Sequence, residues 1–426
     1  MRKMRDSGIE WVGAIPQDWQ LSKIGSLYTQ RNEKVSDKDY QPLSVTMQGI
    51  LPQLATAAKT DDGDNRKLVR VGDFAINSRS DRRGSCGISP LDGSVSLINI
   101  ILTPRTAMHP GYYNWLFHTT LFADEFYKWG HGIVADLWTT RWQEMKSITV
   151  PVPEYAEQER IAAFLDAECA EIDAVLEKTR ASIEEYKKLK QAVITQAVTK
   201  GIRGDRPMKD SGIEWIGDIP ESWEVSSVRY TGQLQNGISK GGEFFGKGFP
   251  FVSYGDVYKN YELPYSVSGL IDTTEEERAT YSVEYGDIFF TRTSETIEEV
   301  GFSCVCKRSI PNATFAGFII RLRPFCADEK ILTDYAKYYF RGEHIRAYLV
   351  KEMNLVTRAS LGQTLLKGMS VIVPPKSVQK EIAEYLDDKC ADIDALVAKK
   401  QQYITEIENY KKSLIYEYVT GKKEVI

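Results

Sequence analysis

QERIAAFLDAECAEIDAVLEKTRASIEEYKKLKQAVITQAVTK, residues 158–200, reads as one uninterrupted helix, and the chain contains it twice. Residues 379–421, QKEIAEYLDDKCADIDALVAKKQQYITEIENYKKSLIYEYVTG, repeat it 221 positions later. Ten of the first seventeen positions are identical, among them Ile161, Leu165, Asp166, Cys169, Ile172 and Asp173. Neither copy contains proline, glycine appears only at the last position of the second, and strong helix formers dominate both. Apolar residues recur at sevens. Leu165, Ile172, Leu176 and Ile183 in the first copy, and Leu386, Ile393, Val397 and Ile404 in the second, form two matching columns. A helix of this length spans roughly 65 Å. It is too long to cover its stripe against one compact domain, so the spacing predicts that the two copies pack on each other. Separate packing of each rod on a globular body is the other reading.

A second repeat opens each half. DSGIEWVGAIPQDW (6–19) returns as DSGIEWIGDIPESW (210–223), an offset of 204. Ten of fourteen positions agree, and the difference between the offsets makes the second intervening segment 17 residues longer. Gly8, Gly13 and Pro16 break regular structure, while Trp11, Ile15 and Trp19 are large apolar anchors. The motif reads as a strap that pins a variable domain to a helix end. A ligand-binding role for its tryptophans is the alternative.

The chain therefore runs strap, variable domain, long helix, twice. The boundaries read as 1–155 for the first strap and domain and 156–204 for the first helix with its linker. The second strap and domain follow at 205–376, and the second helix at 377–426. Each variable domain alternates strand-like runs with turns and carries one aromatic helical stretch, at 112–129 and 335–349. The expected fold class is α+β, with two domains of mixed α/β structure and the long helices paired antiparallel about a pseudo-twofold axis.

Composition sets limits. Of 426 residues, 42% are hydrophobic, and no apolar run approaches the length of a membrane span. MRKMRDSGIEW lacks an apolar signal core, and six scattered cysteines without a CxxC point to free thiols, so a cytoplasmic location is expected. The net charge of −5 counts mildly against nucleic acid, but phosphate binding needs a local basic surface, not a basic average. Gly241–Gly248 approaches a phosphate-binding loop, yet Gly248 stands where the metal-binding hydroxyl belongs and an extended segment follows. No nucleophile motif, cofactor fingerprint or metal-ligand spacing is present, so no catalysis and no metal site are expected.

The polar signals follow a Gly-Asp strand shared by both domains. Gly72-Asp73-Phe74 leads to Asn77, Ser78, Arg79, Arg82, Arg83 and Ser85. Gly286-Asp287-Ile288 leads to Thr291, Arg292, Thr293, Ser294 and Glu295. Arginine can grip a guanine edge or phosphate, short polar side chains add contacts, and Glu295 could accept from a cytosine amino group. Lys240, Tyr254 and Asp256 in the second half, and Lys59, Arg66 and His131 in the first, are further candidates.

The straps, the Gly-Asp strands running into NSRSDRRGSCG and TRTSETIEEVG, and the VPVPEYAEQERI start of the first helix together resemble the specificity subunits of type I restriction-modification systems. The resemblance spans the chain, with Gln379-Lys380-Glu381-Ile382 a small departure at the second helix. It implies two target recognition domains that each read half of a split double-stranded DNA site, with the helices as a ruler. It also implies docking of two methyltransferase subunits and assembly with motor-nuclease subunits. S-adenosylmethionine, ATP and Mg²⁺ are then expected on those partners and no cofactor on this chain. A fused restriction-methylation enzyme would need methyltransferase motifs in the chain. A protein-binding coiled-coil scaffold of another DNA-processing complex would show no salt-sensitive DNA binding.

Overall fold

The computed structural model describes residues 2–53, 62–132, 138–204, 206–294, 299–353 and 359–425. The two long helices are continuous, Tyr155–Lys200 and Lys376–Val419. The chain folds into two compact units that divide these helices between them. One is built from Met1–Arg180 with Gln401–Ile426, the other from Ala181–Lys400.

Within the first unit, the helix segments run antiparallel. Phe164 packs on Tyr418 with ring centroids 4.4 Å apart, Lys411 meets Asp173 at 2.6 Å, and Arg180 meets Glu408 at 2.6 Å. The second unit repeats this direction, with Lys190 on Asp394 at 2.7 Å and Lys400 over the Tyr186 ring. Leu165, Leu176, Ile183, Leu386, Ile393 and Ile404 are buried, and Ile172 and Val397 are half-buried.

The domain of the first unit centres on a four-stranded antiparallel sheet. Its order is Cys86–Ile88, Phe74–Asn77, Asn99–Pro104, Tyr28–Arg31. The second unit has the same order: Ser303–Val305, Ile288–Thr291, Ile319–Pro324, Gly232–Asn236. Strand Phe74–Asn77 is buried throughout, because Phe74 and Ile76 enter one apolar cluster and Ala75 another. Ile288 and Phe290 face one cluster and Phe289 another in the second unit. Both faces of these strands are covered, so they read as apolar runs without alternation.

Each aromatic helical stretch is two helices where one was expected. Pro110–Phe117 ends before Thr119, whose hydroxyl accepts from Phe122 N and starts Thr120–Lys128. Thr333–Tyr339 and Glu343–Glu352 are separated at Gly342. A capping side chain or a glycine interrupts a pattern that is apolar enough to continue. The segment around Gly241–Gly248 is a short 3-10 turn and a strand, Phe245–Val252, with no helix to receive a phosphate.

The straps are hairpins, Met4–Asp6 with Ala14–Pro16 and Met208–Asp210 with Asp218–Pro220. Each covers a C-terminal helix end. Gly421 (φ +70°) ends the second long helix against Pro16 and Trp19, and Gly201 (φ +82°) ends the first against Trp223. A left-handed residue after the last turn is where glycine costs least. Lys422 Nζ donates to Val12 O at 2.6 Å, and Lys200 Nζ donates to the matching Ile216 O at 3.1 Å.

Candidate nucleic-acid interface

Three buried side chains tie the domain elements together in each unit, two of them at the long helices. Gln158 is buried near the start of the first long helix. Its carbonyl accepts from His109 N at 2.9 Å and its amide donates to Pro153 O at 2.8 Å. Gln379 does the same in the second unit, accepting from Leu332 N and donating to Pro374 O, each at 2.8 Å. Tyr112 Oη donates to Val419 O at 2.8 Å, and Tyr335 Oη to Val198 O at 3.1 Å. Asp73, the acid of the Gly-Asp strand, accepts from Arg31 Nε at 2.7 Å and Thr103 Oγ1 at 2.9 Å. Asp287 takes its arginine from a different strand, Arg323, at 2.6 and 2.7 Å. In both units the acid also accepts a backbone N–H, from Arg70 or Glu284, which closes the turn before the strand.

The Gly-Asp strand thus delivers the following loop to the same place twice. Ser78 N donates to Ile98 O and Ser78 O accepts from Thr140 N. Arg292 N donates to Phe318 O and Arg292 O accepts from Leu361 N. Arg79 then bridges Thr139, and Thr293–Ser294 pairs with Ala359–Ser360.

The first-unit candidates divide by burial. Asn77, Ser78 and Ser85 are buried. Asn77 Oδ1 accepts from Arg79 N at 3.0 Å, Ser78 Oγ donates to Ile98 O at 2.5 Å, and Ser85 O accepts from Asn77 N at 2.9 Å. Arg79 is half-buried, while Arg82 and Arg83 are exposed. Arg82 lies 3.7 Å from Asp81, and Arg83 pairs with Asp124. Arg66 is buried against Ser94, and His131 is exposed, 3.9 Å from Glu144. Lys59 lies outside the described residues.

Arg79 lines a groove of about 370 Å³ with Lys67, Arg141, Gln30, Trp142 and Thr139. Lys67 and Arg141 are basic groups that the spacing argument did not reach. They lie outside the Gly-Asp loop in sequence, and only the fold brings them beside it. Lys67 donates to Asn99 O at 2.7 Å, and burial pushes its amine below the usual lysine range. Glu144 accepts from the Arg141 N–H at 3.0 Å in a helix cap.

In the second unit, Thr291 is buried and Arg292, Thr293, Ser294 and Tyr254 are half-buried. Tyr254 stacks on Tyr258 at 5.8 Å and lies beside Thr291 and Ser294. Burial raises its phenol and those hydroxyls oppose the shift. Ser294 and Tyr258 both donate to Glu299, each at 3.1 Å. Lys240 stands apart from this group, tied to Glu277 at 2.7 Å and Asp272 O at 2.9 Å, and Asp256 caps a helix with Ser253. Glu295 lies outside the described residues. Where the first unit has Arg141 the second has Gly362, and beside it Gln363 donates to Asn236 at 3.0 Å. One frame therefore presents a basic groove in one unit and a carboxamide and tyrosine surface in the other.

All six cysteines are free thiols, and all but Cys326 are buried. Among the described residues no cluster of His, Cys, Asp or Glu could hold a metal, and no helix is long and apolar enough to cross a membrane.

Comparison with known proteins adds the following. Residues 220–407 match the family model described as the type I restriction modification DNA specificity domain. The chain is 22% identical to the type I restriction enzyme StySPI specificity subunit of Salmonella potsdam, over 96% of this chain and 90% of that one. Its identity to the EcoKI specificity subunit of Escherichia coli K12 is also 22%, with the same coverage. Among solved structures, a chain from a study of complex assembly and conformational transition of the type I R-M system superposes with a TM-score of 0.73. That match is at 14% identity and covers 96% of this chain and 99% of that one. The HsdS subunit of Thermoanaerobacter tengcongensis gives 0.51 at 16% identity, covering 96% and 98%.

Proposed function

We propose that the chain is a specificity subunit of the type I restriction-modification family, which its family match and its relatives support, and that each unit reads one half of a bipartite DNA site. The first unit does so through Arg79, Arg82, Arg83, Lys67 and Arg141, the second through Arg292, Thr293, Ser294 and Tyr254. The observation that carries this reading is the twofold frame. Gln158 and Gln379, and Tyr112 and Tyr335, make matching bonds at the long helices, and Asp73 and Asp287 each accept from an arginine and a backbone N–H where the strand begins, while the side chains of the loops that follow differ. A frame kept twice with different faces is what two readers of different half-sites require. Buried Asn77, Ser78, Ser85 and Thr291 then shape the loops, and the arginines meet the DNA.

In this reading the long helices form one antiparallel coiled coil with pseudo-twofold symmetry, which sets the spacing of the half-sites. The domain limits at 155, 204 and 376 separate readers from ruler. The chain performs no catalysis. Two methyltransferase subunits dock on it and motor-nuclease subunits join them, in the cytoplasm, with S-adenosylmethionine, ATP and Mg²⁺ on those partners.

The test is duplex binding by the assembled methyltransferase complex as a function of salt. Phosphate contacts make log K fall linearly with log salt, with a slope of about −0.9 per contact. Paired replacement of Arg82 and Arg83 by alanine should flatten that slope by about one to two and weaken binding to the cognate site. Unchanged affinity and slope would remove this loop from the interface.

A further inference from the structure

In the first unit a carboxylate locks the strap. Glu157 Oε2 accepts from Arg2 Nη2 at 3.0 Å and from the Trp19 indole at 2.9 Å, Oε1 takes a second contact from Arg2, and Arg2 also meets Asp18 at 2.6 Å. The second unit keeps the donors and lacks the acids. Arg206 and Trp223 stand where Arg2 and Trp19 do, but Ser222 replaces Asp18 and Val378 replaces Glu157.

The consequence is a donor pair without its acid. Trp223 is fully buried, and its Nε1 has no hydrogen-bond partner. Arg206 is half-buried and makes no ion pair among the described residues. The guanidinium lies beside the indole ring, because a Cβ on Gly201 would lie 3.3 Å from Trp223 Cζ2 and 3.4 Å from Arg206 Nη1. A cavity of about 490 Å³ opens on the Arg206 side of Gly201, lined also by Lys200, Arg203, Met208 and Tyr385. Its other cations are occupied, Lys200 by the carbonyls of Ile216 and Asp218 and Arg203 by Glu381 at 2.6 Å.

We propose that the second unit carries an open carboxylate-binding site, in which Arg206 and the Trp223 indole bind in trans the group that Glu157 supplies from within the chain in the first unit. A guanidinium fork with one indole N–H matches the two oxygens of a planar carboxylate. The cavity is large enough to admit the group together with the chain that bears it. The source is either a small free carboxylate or an acidic side chain of a protein partner.

The test follows the ¹⁵N-indole signals of the full-length chain during titration with sodium acetate, against sodium chloride at equal ionic strength. Trp223→Phe identifies the Trp223 signal. That signal should shift saturably with acetate, and the shift should be retained in Arg2→Ala and absent in Arg206→Ala. Val378→Glu should abolish it by filling the position from within. The absence of an acetate-specific shift, or its persistence in Arg206→Ala, overturns the proposal, and the Arg206 variant decides this even if Val378→Glu does not fold. The source is read from assembly with methyltransferase subunits. About a tenfold loss of assembly affinity in Arg206→Ala, or about 1.4 kcal/mol, assigns an acidic partner side chain. Unaltered assembly with a retained acetate shift assigns a small free carboxylate.

Discussion

At a buried junction, Gln158 satisfies one N–H and one carbonyl, and Gln379 one N–H and two carbonyls, of Lys330 and Pro374. Removing either side chain strands these groups, at about 1–3 kcal/mol for each buried group left unpaired. Gln158→Ala should destabilise the first unit by about 2–4 kcal/mol, and Gln379→Ala the second, read by denaturant unfolding with a probe in each unit. A loss under 0.5 kcal/mol would show that water replaces the amide at this junction. The sequence shows these glutamines as a shared motif, but their role depends on carbonyls and N–H groups that only folding assembles. The buried polar residues of the first loop show the reverse. Asn77, Ser78 and Ser85 have the residue types of a base-reading loop, and the fold turns them inward.

His344 carries a second residue-scale prediction. It is buried with both ring nitrogens unpartnered, and burial pushes its pKa down from 6.5 to about 3. The unfolded chain therefore binds a proton that the folded chain refuses. The stability it contributes is fully present above pH 6.5 and is lost as pH falls toward 3, by up to about 1.4 kcal/mol per pH unit. The first unit has Leu121 at the matching position. His344→Leu should remove this acid sensitivity from the second unit, measured as unfolding midpoint against pH. An unaltered pH profile would assign the sensitivity to other groups.

At the scale of elements, the long helices were the most legible feature. Their heptad columns, lack of proline and repetition at a constant offset all point the same way, and the helices form as Tyr155–Lys200 and Lys376–Val419. The strands were legible as apolar runs flanked by turns. What was hidden was interruption and placement. Thr119 and Gly342 break helices whose apolar pattern continues across them. Arg141 and Lys67 reach the groove through contacts between segments distant in sequence. The ruler proposal is tested on these elements. Seven residues added to each long helix, between Arg180 and Ala181 and between Lys400 and Gln401, lengthen each by about 10 Å. At about 3.4 Å per base pair, the recognised spacer should grow by roughly three base pairs while both half-sites stay the same. A spacer of unaltered length would show that the helices do not set the distance.

At the scale of the molecule, each compact unit takes its domain, the start of one long helix and the end of the other. The apolar core runs through that junction in both. Trp19, Leu165 and Val419 share one cluster, and Trp223, Val198 and Leu386 share the other. A domain anchored to two helix segments at once can hold a reading loop in fixed register with its ruler. Exchange of residues 20–152 for the corresponding segment of a related specificity subunit should therefore change one half-site and leave the other intact. The most direct test of the whole account is a base-resolution methylation map of DNA from cells expressing this chain with its methyltransferase partner. The account predicts a split motif with adenine methylated in both halves, absent when this chain is omitted. Methylation that persists unchanged without the chain, or a single uninterrupted motif, would contradict it.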